Sequence, residues 1–443
     1  MSINDKIPIL IVSYLFPPRG GVGVQRITKF VKYLPENGFQ PIVLTVQKPG
    51  GSVSQDETTL DEIPRDVHVI RTKSFEPYHI YRALGGKRSQ DAPSFRGELV
   101  AGGTKRGLLS RLYFEYQRRY LIPDPKIGWF KPALKAADGI FDKYSPKIIL
   151  STSPEATAHL IALKLSKKFK VPFIADFRDP WISGFYSLNR LKRALEKDVA
   201  LEREVLENAE SVIVVMKSYI DGFLKNHPDI NPEKFRIIPN GFDESDYENL
   251  QPGEFTKFTL AHTGSIYHQR SPVPLFEAVK VFLENNPDAK DKFNLLLMGK
   301  IDTSFLKIAE GMGISENITI EEFSSHYDAL SVQLGADALL ILSEGMMTAK
   351  IYEYLRAKKP IIGIAPKGEL HHQIDDWGIG RAFEPKQVSE IAQFIENLYD
   401  NWSKKLHPIM TDFKTVDLKK YQRSYQAKQL AEILHSVLPD DVL

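Results

Sequence analysis

Short apolar runs alternate with helix-length amphipathic segments along almost the whole chain, and the alternation restarts once near its middle. The first series reads as strand 7–14, helix 24–37, strands 41–46, 67–72 and 147–151, helix 156–168, strand 171–176, helix 191–208 and strand 211–216. The second reads as strand 258–263, helix 273–284, strand 293–298, helix 303–312, strand 318–321, helix 327–335, strand 338–342, helix 350–356 and strand 360–365. Such a rhythm implies parallel sheets joined by crossover helices. The strands are continuous apolar runs, as required when helices cover both faces of a sheet. In helix 24–37, Ile27, Phe30, Val31 and Leu34 share one face, and Gly38 supplies a stop.

The rhythm breaks in two places. Residues 74–126 carry Gly85-Gly86, Gly102-Gly103 and several basic pairs, and read as an irregular basic insertion. Residues 240–255 begin at Pro239-Asn240-Gly241, pass through an acidic stretch and end near Pro252-Gly253, the strongest turn signals in the chain. The expected organisation is an α/β domain over 1–240 that contains the insertion, a hinge over 241–255 and a second α/β domain over 256–417. The tail 418–443, helical over 418–437, would pack back on the first domain. Each half is then close to the size at which chains divide into domains. Two doubly wound sheets facing each other would create a cleft at their strand ends.

Composition narrows the chemistry. The chain has no Cys, which excludes a disulfide framework, a thiol nucleophile, a Cys-zinc site and an iron–sulfur cluster. The eleven His residues show no metal-ligand spacing, so no metal site is expected. Lys and Arg number 58 against 56 Asp and Glu, a net charge of +2 that argues against a global nucleic-acid field. The charge is unevenly spread. From Arg82 to Lys126 there are ten Lys or Arg and four Asp or Glu, interleaved with Leu108, Leu109, Leu112, Tyr113, Phe114 and Tyr120. That mixture suits a helix lying on an anionic membrane; the plainer reading is a solvated helix face. No run reaches the ~18–20 apolar residues of a membrane-spanning helix. The first apolar run ends at Pro17-Pro18 with no small-residue cleavage site, so it reads as a strand and not a signal peptide. The expectation is a cytoplasmic protein, at most attached to a membrane surface.

In open α/β sheets ligands bind at the carboxyl ends of strands, and four such ends stand out. The first is the loop Phe16-Pro17-Pro18-Arg19-Gly20-Gly21-Val22-Gly23, opening a helix whose N-terminus offers N–H groups to anions. Its spacing is not G-x-G-x-x-G and the second strand ends without a ribose-binding acid, which disfavours a dinucleotide oxidoreductase. A tight turn accounts for it equally well. The second is Asp176-Phe177-Arg178-Asp179-Pro180-Trp181. Asp176 would cap the turn or pair with Arg178, and Asp179 would act as a base or hydroxyl acceptor unless it belongs to a buried ion pair. The third is Gly264-Ser265 followed by Arg270, where a phosphate would meet the backbone and a planar guanidinium; a surface loop is the alternative. The fourth runs from Glu344 to Tyr354. Lys350 lies in the first turn of a helix, where its charge opposes the dipole, and Glu353 shares its face. An anionic ligand would resolve that conflict, and the carboxylate suits a ribose diol. A Lys–Glu surface pair is the simpler account.

Taken in order, the blocks resemble the GT-B glycosyltransferases, in particular the family 4 group of retaining, nucleotide-sugar-dependent enzymes of bacterial surface-polysaccharide synthesis. The blocks are Tyr14 to Gly23, Ser151 to Trp181, Ile238-Pro239-Asn240-Gly241-Phe242-Asp243, Gly264-Ser265, Ser324-Ser325-His326 and Lys350-Ile351-Tyr352-Glu353-Tyr354-Leu355. The resemblance implies transfer of a sugar from a nucleoside diphosphate donor to a saccharide or lipid-linked acceptor, with no cofactor. It also implies that Gly20, Gly21 and Gly23 face acceptor and donor phosphates, that Gly264, Ser265, Arg270 and Lys350 hold the pyrophosphate, and that Glu353 holds the ribose. Glu344 would contact the sugar, and Asp179 falls near the place of a family His. The chain departs from the family's pattern in carrying Asp at that place. Eight residues, and not the family's seven, separate Glu344 from Glu353. A nucleotide-sugar epimerase of the same fold and a non-catalytic sugar-nucleotide-binding protein are the competing readings.

Overall fold

A computed structural model describes residues 6–20, 22–47, 56–77, 108–182, 187, 190–266, 270–322, 325–344, 347–406, 416–439 and 442. Gly21, the insertion from 78 to 107, residues 267–269 of the third strand end and Ser324 lie outside this set. The chain divides into two units, Met1–Asn240 with Arg423–Leu443, and Gly241–Gln422.

The first unit is built on seven parallel strands: β1 (Ile7–Ser13), β2 (Phe39–Val46), β3 (His68–Thr72), β4 (Ile148–Thr152), β5 (Phe173–Phe177), β6 (Ser211–Val214) and β7 (Phe235–Ile237). Their order is β3-β2-β1-β4-β5-β6-β7. Successive side chains on a strand point to opposite faces, so each apolar run feeds two cores. Leu10 and Val12 join Ile42, Leu44 and Ile149 beneath the helices Phe130–Tyr144 and Thr157–Phe169. Ile9 and Ile11 join Val43, Ile148 and Leu150 beneath the helix Val22–Tyr33, through Ile27, Phe30 and Val31. Ala427, Leu430 and Leu434 of the last helix, Arg423–Ser436, complete that second layer.

A single helix does not run through 418–437. Residues Leu418–Tyr421 form a 3-10 turn capped by Asp417, and they belong to the second unit. Tyr421 packs against Tyr352 and Trp377, and its carbonyl accepts the Phe242 N–H at 3.0 Å. The aromatic anchor holds the chain there, and the α-helix starts only at Arg423.

The second unit has six parallel strands: β8 (Phe258–Thr263), β9 (Phe293–Met298), β10 (Ile318–Glu321), β11 (Ala338–Leu342), β12 (Ile361–Ile364) and β13 (Gly380–Phe383). Their order is β10-β9-β8-β11-β12-β13. Residues 241–255 are part of this unit, with Phe242, Tyr247 and Phe255 in or against its core. Beyond β12 the chain adds the helix Glu369–Trp377 and the helix Val388–Ser403. The latter buries Ile391, Phe394, Ile395 and Leu398.

Each sheet has one place where neighbouring strands leave chain order and the winding reverses: β1 beside β4, and β8 beside β11. Loops leaving two such strands turn to opposite faces, which opens a crevice at their carboxyl ends. The residues singled out from the sequence cluster at these two places.

Candidate functional site

In the second unit β8 ends at Thr263 and the chain turns at Gly264, whose φ of +144° lies in a region that side chains rarely adopt. A Cβ there would fall on the Lys350 Nζ. The glycine therefore lets the ammonium rest directly on the backbone at the strand end. Gly299, at the end of β9 with φ +134°, is needed for the same reason. A Cβ on it would come within 2.7 Å of the Gly264 carbonyl oxygen.

Lys350 opens the helix Lys350–Ala357, whose Ile351, Tyr352, Tyr354 and Leu355 are buried. Among the described residues it makes no ion pair with Glu353, so the surface-pair reading does not hold. Burial and the neighbouring Arg270 charge pull the Lys350 pKa down to about 8, against a smaller upward pull from Glu353. The Glu353 Oε2 instead accepts from Gln333 Nε2 at 3.1 Å, and the same nitrogen donates to Thr263 Oγ1 at 3.0 Å. Tyr354 Oη accepts the Thr263 N–H at 3.2 Å. These bonds fix the carboxylate relative to the end of β8.

His262, one residue inside β8, was not legible as part of the site. Its Nδ1 lies 2.9 Å from the Leu340 carbonyl oxygen, which can only accept, so the proton is on Nδ1 and the lone pair on Nε2. Burial first, then the Lys350 and Arg270 charges, push its pKa to about 3, so the ring is neutral. Its buried Nε2 has no partner among the described residues. Ser265 and Glu344 are exposed. The arrangement is two cations, one neutral imidazole and one held carboxylate at a strand end, which can take an anion beside a diol.

In the first unit Asp176 pairs with Arg26, not with Arg178. The guanidinium of Arg26 straddles the carboxylate with bonds of 2.8–3.2 Å, and Thr152 Oγ1 adds a third donor at 2.8 Å. Both side chains are buried, at 1% and 0% exposure, so the pair ties β5 to the helix Val22–Tyr33. Arg26 sits one turn before Phe30, beside the apolar stripe of Ile27, Phe30, Val31 and Leu34. That charge beside a core stripe was the available sequence signal.

Arg178 instead holds Asp179, through Nη2 at 2.8 Å and Nε at 3.3 Å. Its Nη1 is buried with no partner among the described residues. It lies where a Cβ on Gly23 would approach within 2.8 Å, so Gly23 makes room for the guanidinium. Burial pulls the Arg178 pKa down, but Asp179, Glu155 and Asp176 outweigh it and hold the charge. Asp179 is half-buried, and its N–H donates to Ser153 Oγ at 3.1 Å. Gly20 is buried in the loop after β1.

Glu155, which follows β4, was also missed. Burial and the neighbouring Asp124 push its pKa up to about 7, against Lys126, Arg19 and Arg178. Asp124 is itself fully buried, accepting from Thr157 N, Thr157 Oγ1 and Lys126 N at 2.8–2.9 Å. Lys126 Nζ reaches Glu76 at 2.5 Å, and Tyr14 Oη donates to the same carboxylate.

The model described as Glycosyltransferase Family 4 matches residues 91–246, and that described as Glycosyl transferases group 1 matches residues 251–411. The two stretches run almost without a gap and span most of the chain. The chain is a glycosyltransferase of the GT-B fold, with a Glycosyltransferase Family 4 domain followed by a group 1 domain. Solved structures resemble this glycosyltransferase over its whole length. One from Rickettsia africae, also a glycosyltransferase, is 16% identical with a TM-score of 0.60, over 99% of this chain and 100% of that one. Anabaena HepE, solved with UDP, is 15% identical with a TM-score of 0.60, over 97% and 100%. WaaG, described as a glycosyltransferase involved in lipopolysaccharide biosynthesis, is 14% identical with a TM-score of 0.57, over 96% and 99%. At these identities the likeness concerns the fold. No curated protein matches the glycosyltransferase in sequence. Among the described residues no helix is long and apolar enough to cross a membrane.

Proposed function

We propose that the second unit binds a nucleoside diphosphate sugar and that the sugar passes, with retention at the anomeric carbon, to a saccharide or lipid-linked saccharide during polysaccharide or glycoconjugate synthesis. The observation that carries this reading is the Lys350 ammonium lying on the Gly264 backbone, next to Arg270, with Glu353 one helical turn away. Gly264, Ser265, Arg270 and Lys350 receive the pyrophosphate, Glu353 the ribose and Glu344 a sugar hydroxyl. Gly20, Gly21 and Gly23 serve the acceptor and phosphate side, and Asp179 contacts the reacting sugar. HepE, which shares the fold, has been solved with UDP and with UDP-glucose.

In the reaction the bond from the anomeric carbon to the β-phosphate oxygen breaks and the acceptor oxygen takes its place on the same face. The acceptor proton passes to the departing phosphate. Negative charge grows on that phosphate, and cations already held at the strand end stabilise it without reorganising. In this reading no metal or other cofactor is required.

A thermal-shift panel of UDP-, GDP- and dTDP-sugars tests the donor. Saturation at 100 times Kd stabilises the native state by about 2.7 kcal/mol, and one nucleotide class is expected to stand out. Arg270→Ala and Glu353→Ala are each expected to lose most of that shift. Wild-type shifts in both variants would refute the site. Sugar isomerised without any acceptor would point to an epimerase, and donor binding without turnover to a binding protein.

We also propose peripheral attachment to an anionic membrane at the cytoplasmic face. The helix Leu108–Tyr120 supports it: Leu108, Leu112, Tyr116 and Tyr120, at four-residue spacing, are all exposed on one face, with Arg111 and Arg119 alongside. Co-sedimentation at low salt with vesicles of 30% phosphatidylglycerol is expected to exceed that with pure phosphatidylcholine, and Leu112→Glu with Tyr116→Glu to abolish it. Equal sedimentation with both vesicles removes the idea.

A further inference from the structure

The imidazole of His262 is a buried polar group to which the donor reading gives no task. It stands on the face of β8 that Phe258 and Leu260 turn into the core, a place suited to an apolar side chain. The residue is 3% exposed. Its Nδ1 is held by the Leu340 carbonyl of β11, so the ring spans the two strands at which the second sheet reverses its winding. Nε2 then carries a buried lone pair with no partner among the described residues. A buried acceptor left unmatched is costly, so a native structure that keeps one has a use for it.

The turn at Gly264 brings a donor to that lone pair. The point where a Gly264 Cβ would stand coincides with the Lys350 Nζ and lies 3.7 Å from the His262 Nε2. The ammonium and the imidazole nitrogen therefore share the space that the missing side chain leaves over the strand end. No hydrogen bond joins them in the structure.

An ammonium has three donors and no acceptor, whereas this Nε2 can only accept. A phosphate oxygen would meet the lone pair with repulsion, so the imidazole does not serve the phosphate itself. A carboxylate in its place would orient the ammonium but also cancel the charge that a phosphate needs. A neutral acceptor orients the ammonium and leaves its charge intact. Burial, with the charges of Lys350 and Arg270, keeps the ring neutral.

We propose that His262 is a positioning residue for Lys350. When a nucleoside diphosphate binds, one ammonium N–H donates to Nε2, the proton staying on the lysine, and the other two donors are thereby aimed at phosphate oxygens. This rests on the donor reading above.

The test uses the full chain. UDP, GDP and dTDP are titrated into the wild type at pH 7 by ligand-observed NMR, which also reads weak binding, and the tightest is carried into the variants. His262→Phe keeps a ring and removes the lone pair, and is expected to weaken binding about fivefold or more. In a Lys350→Met background the same change is expected to cost less than about twofold, because the group it positions is gone. His262→Gln, whose side-chain oxygen can take the place of Nε2, is expected to recover most of the loss. If His262→Phe does not fold, His262→Asn replaces it, keeping a donor for Leu340 without an acceptor at Nε2. An equal loss in both backgrounds would overturn the proposal and show that the ring touches the ligand, or supports the strand, on its own account. Wild-type affinity in His262→Phe would overturn it as well. Failure of all three nucleotides to bind the wild type would instead refute the donor reading, a separate outcome that removes the proposal with it.

Discussion

Lys350→Met is expected to weaken UDP binding by about 10- to 150-fold, measured by isothermal titration at pH 7. A hydrogen bond to a charged group is worth about 1.5–3 kcal/mol, and this ammonium is held on the strand-end backbone with no ion-paired carboxylate among the described residues. The affinity of the wild type is expected to depend on pH in a defined direction. Burial and Arg270 hold the Lys350 pKa near 8, below the value of a free lysine. UDP brings negative charge and favours the cation, so binding takes up a proton near pH 8 and weakens as pH rises above it. Without ligand the sign is opposite. The unfolded chain binds more protons than the folded one between about pH 8 and 10.4, so this group raises stability as pH rises through that window. Titration at pH 8 in phosphate and in Tris, whose ionisation heats differ, reads the proton uptake directly. Equal heats in both buffers would mean that Lys350 is already fully charged.

Arg26→Ala is expected to be the most destabilising single change in the first unit, by about 3–5 kcal/mol. The arginine and Asp176 are both excluded from water, and the carboxylate receives three of its bonds from this guanidinium. Removing the cation leaves a charge in the core layer that includes Ile174. The loss is read by hydrogen exchange of peptides covering 173–177, where the lost protection reports that unit. Arg26→Met with Asp176→Leu is expected to recover the larger part, because replacing both ions by apolar groups is often neutral. A loss below 1 kcal/mol in the single variant would show that water reaches the pair.

Much of the fold was legible because strand and helix periods differ. Apolar runs such as 258–263, 293–298 and 338–342 coincide with β8, β9 and β11 to the residue. The short edge strands β7 and β13 were not, since β7 exposes Arg236 and Ile237 and so carries no continuous apolar signal. Of the residues gathered at the end of β8, Lys350 was visible as a chemical conflict, a lysine in the first turn of a helix. The unmatched groups were invisible, because an unmatched atom is a property of neighbours brought from far along the chain.

By itself the sequence determined the alternation, and with it two parallel sheets, because periodicity decides which faces a segment can bury. Only the tertiary structure decided the partners. Asp176 and Asp179 lie three residues apart in one motif, yet one is locked by Arg26 from a helix 150 residues earlier and the other by its neighbour Arg178. Charge pairing is set by distance in space and by exclusion of water, and neither is encoded in the local pattern of residues.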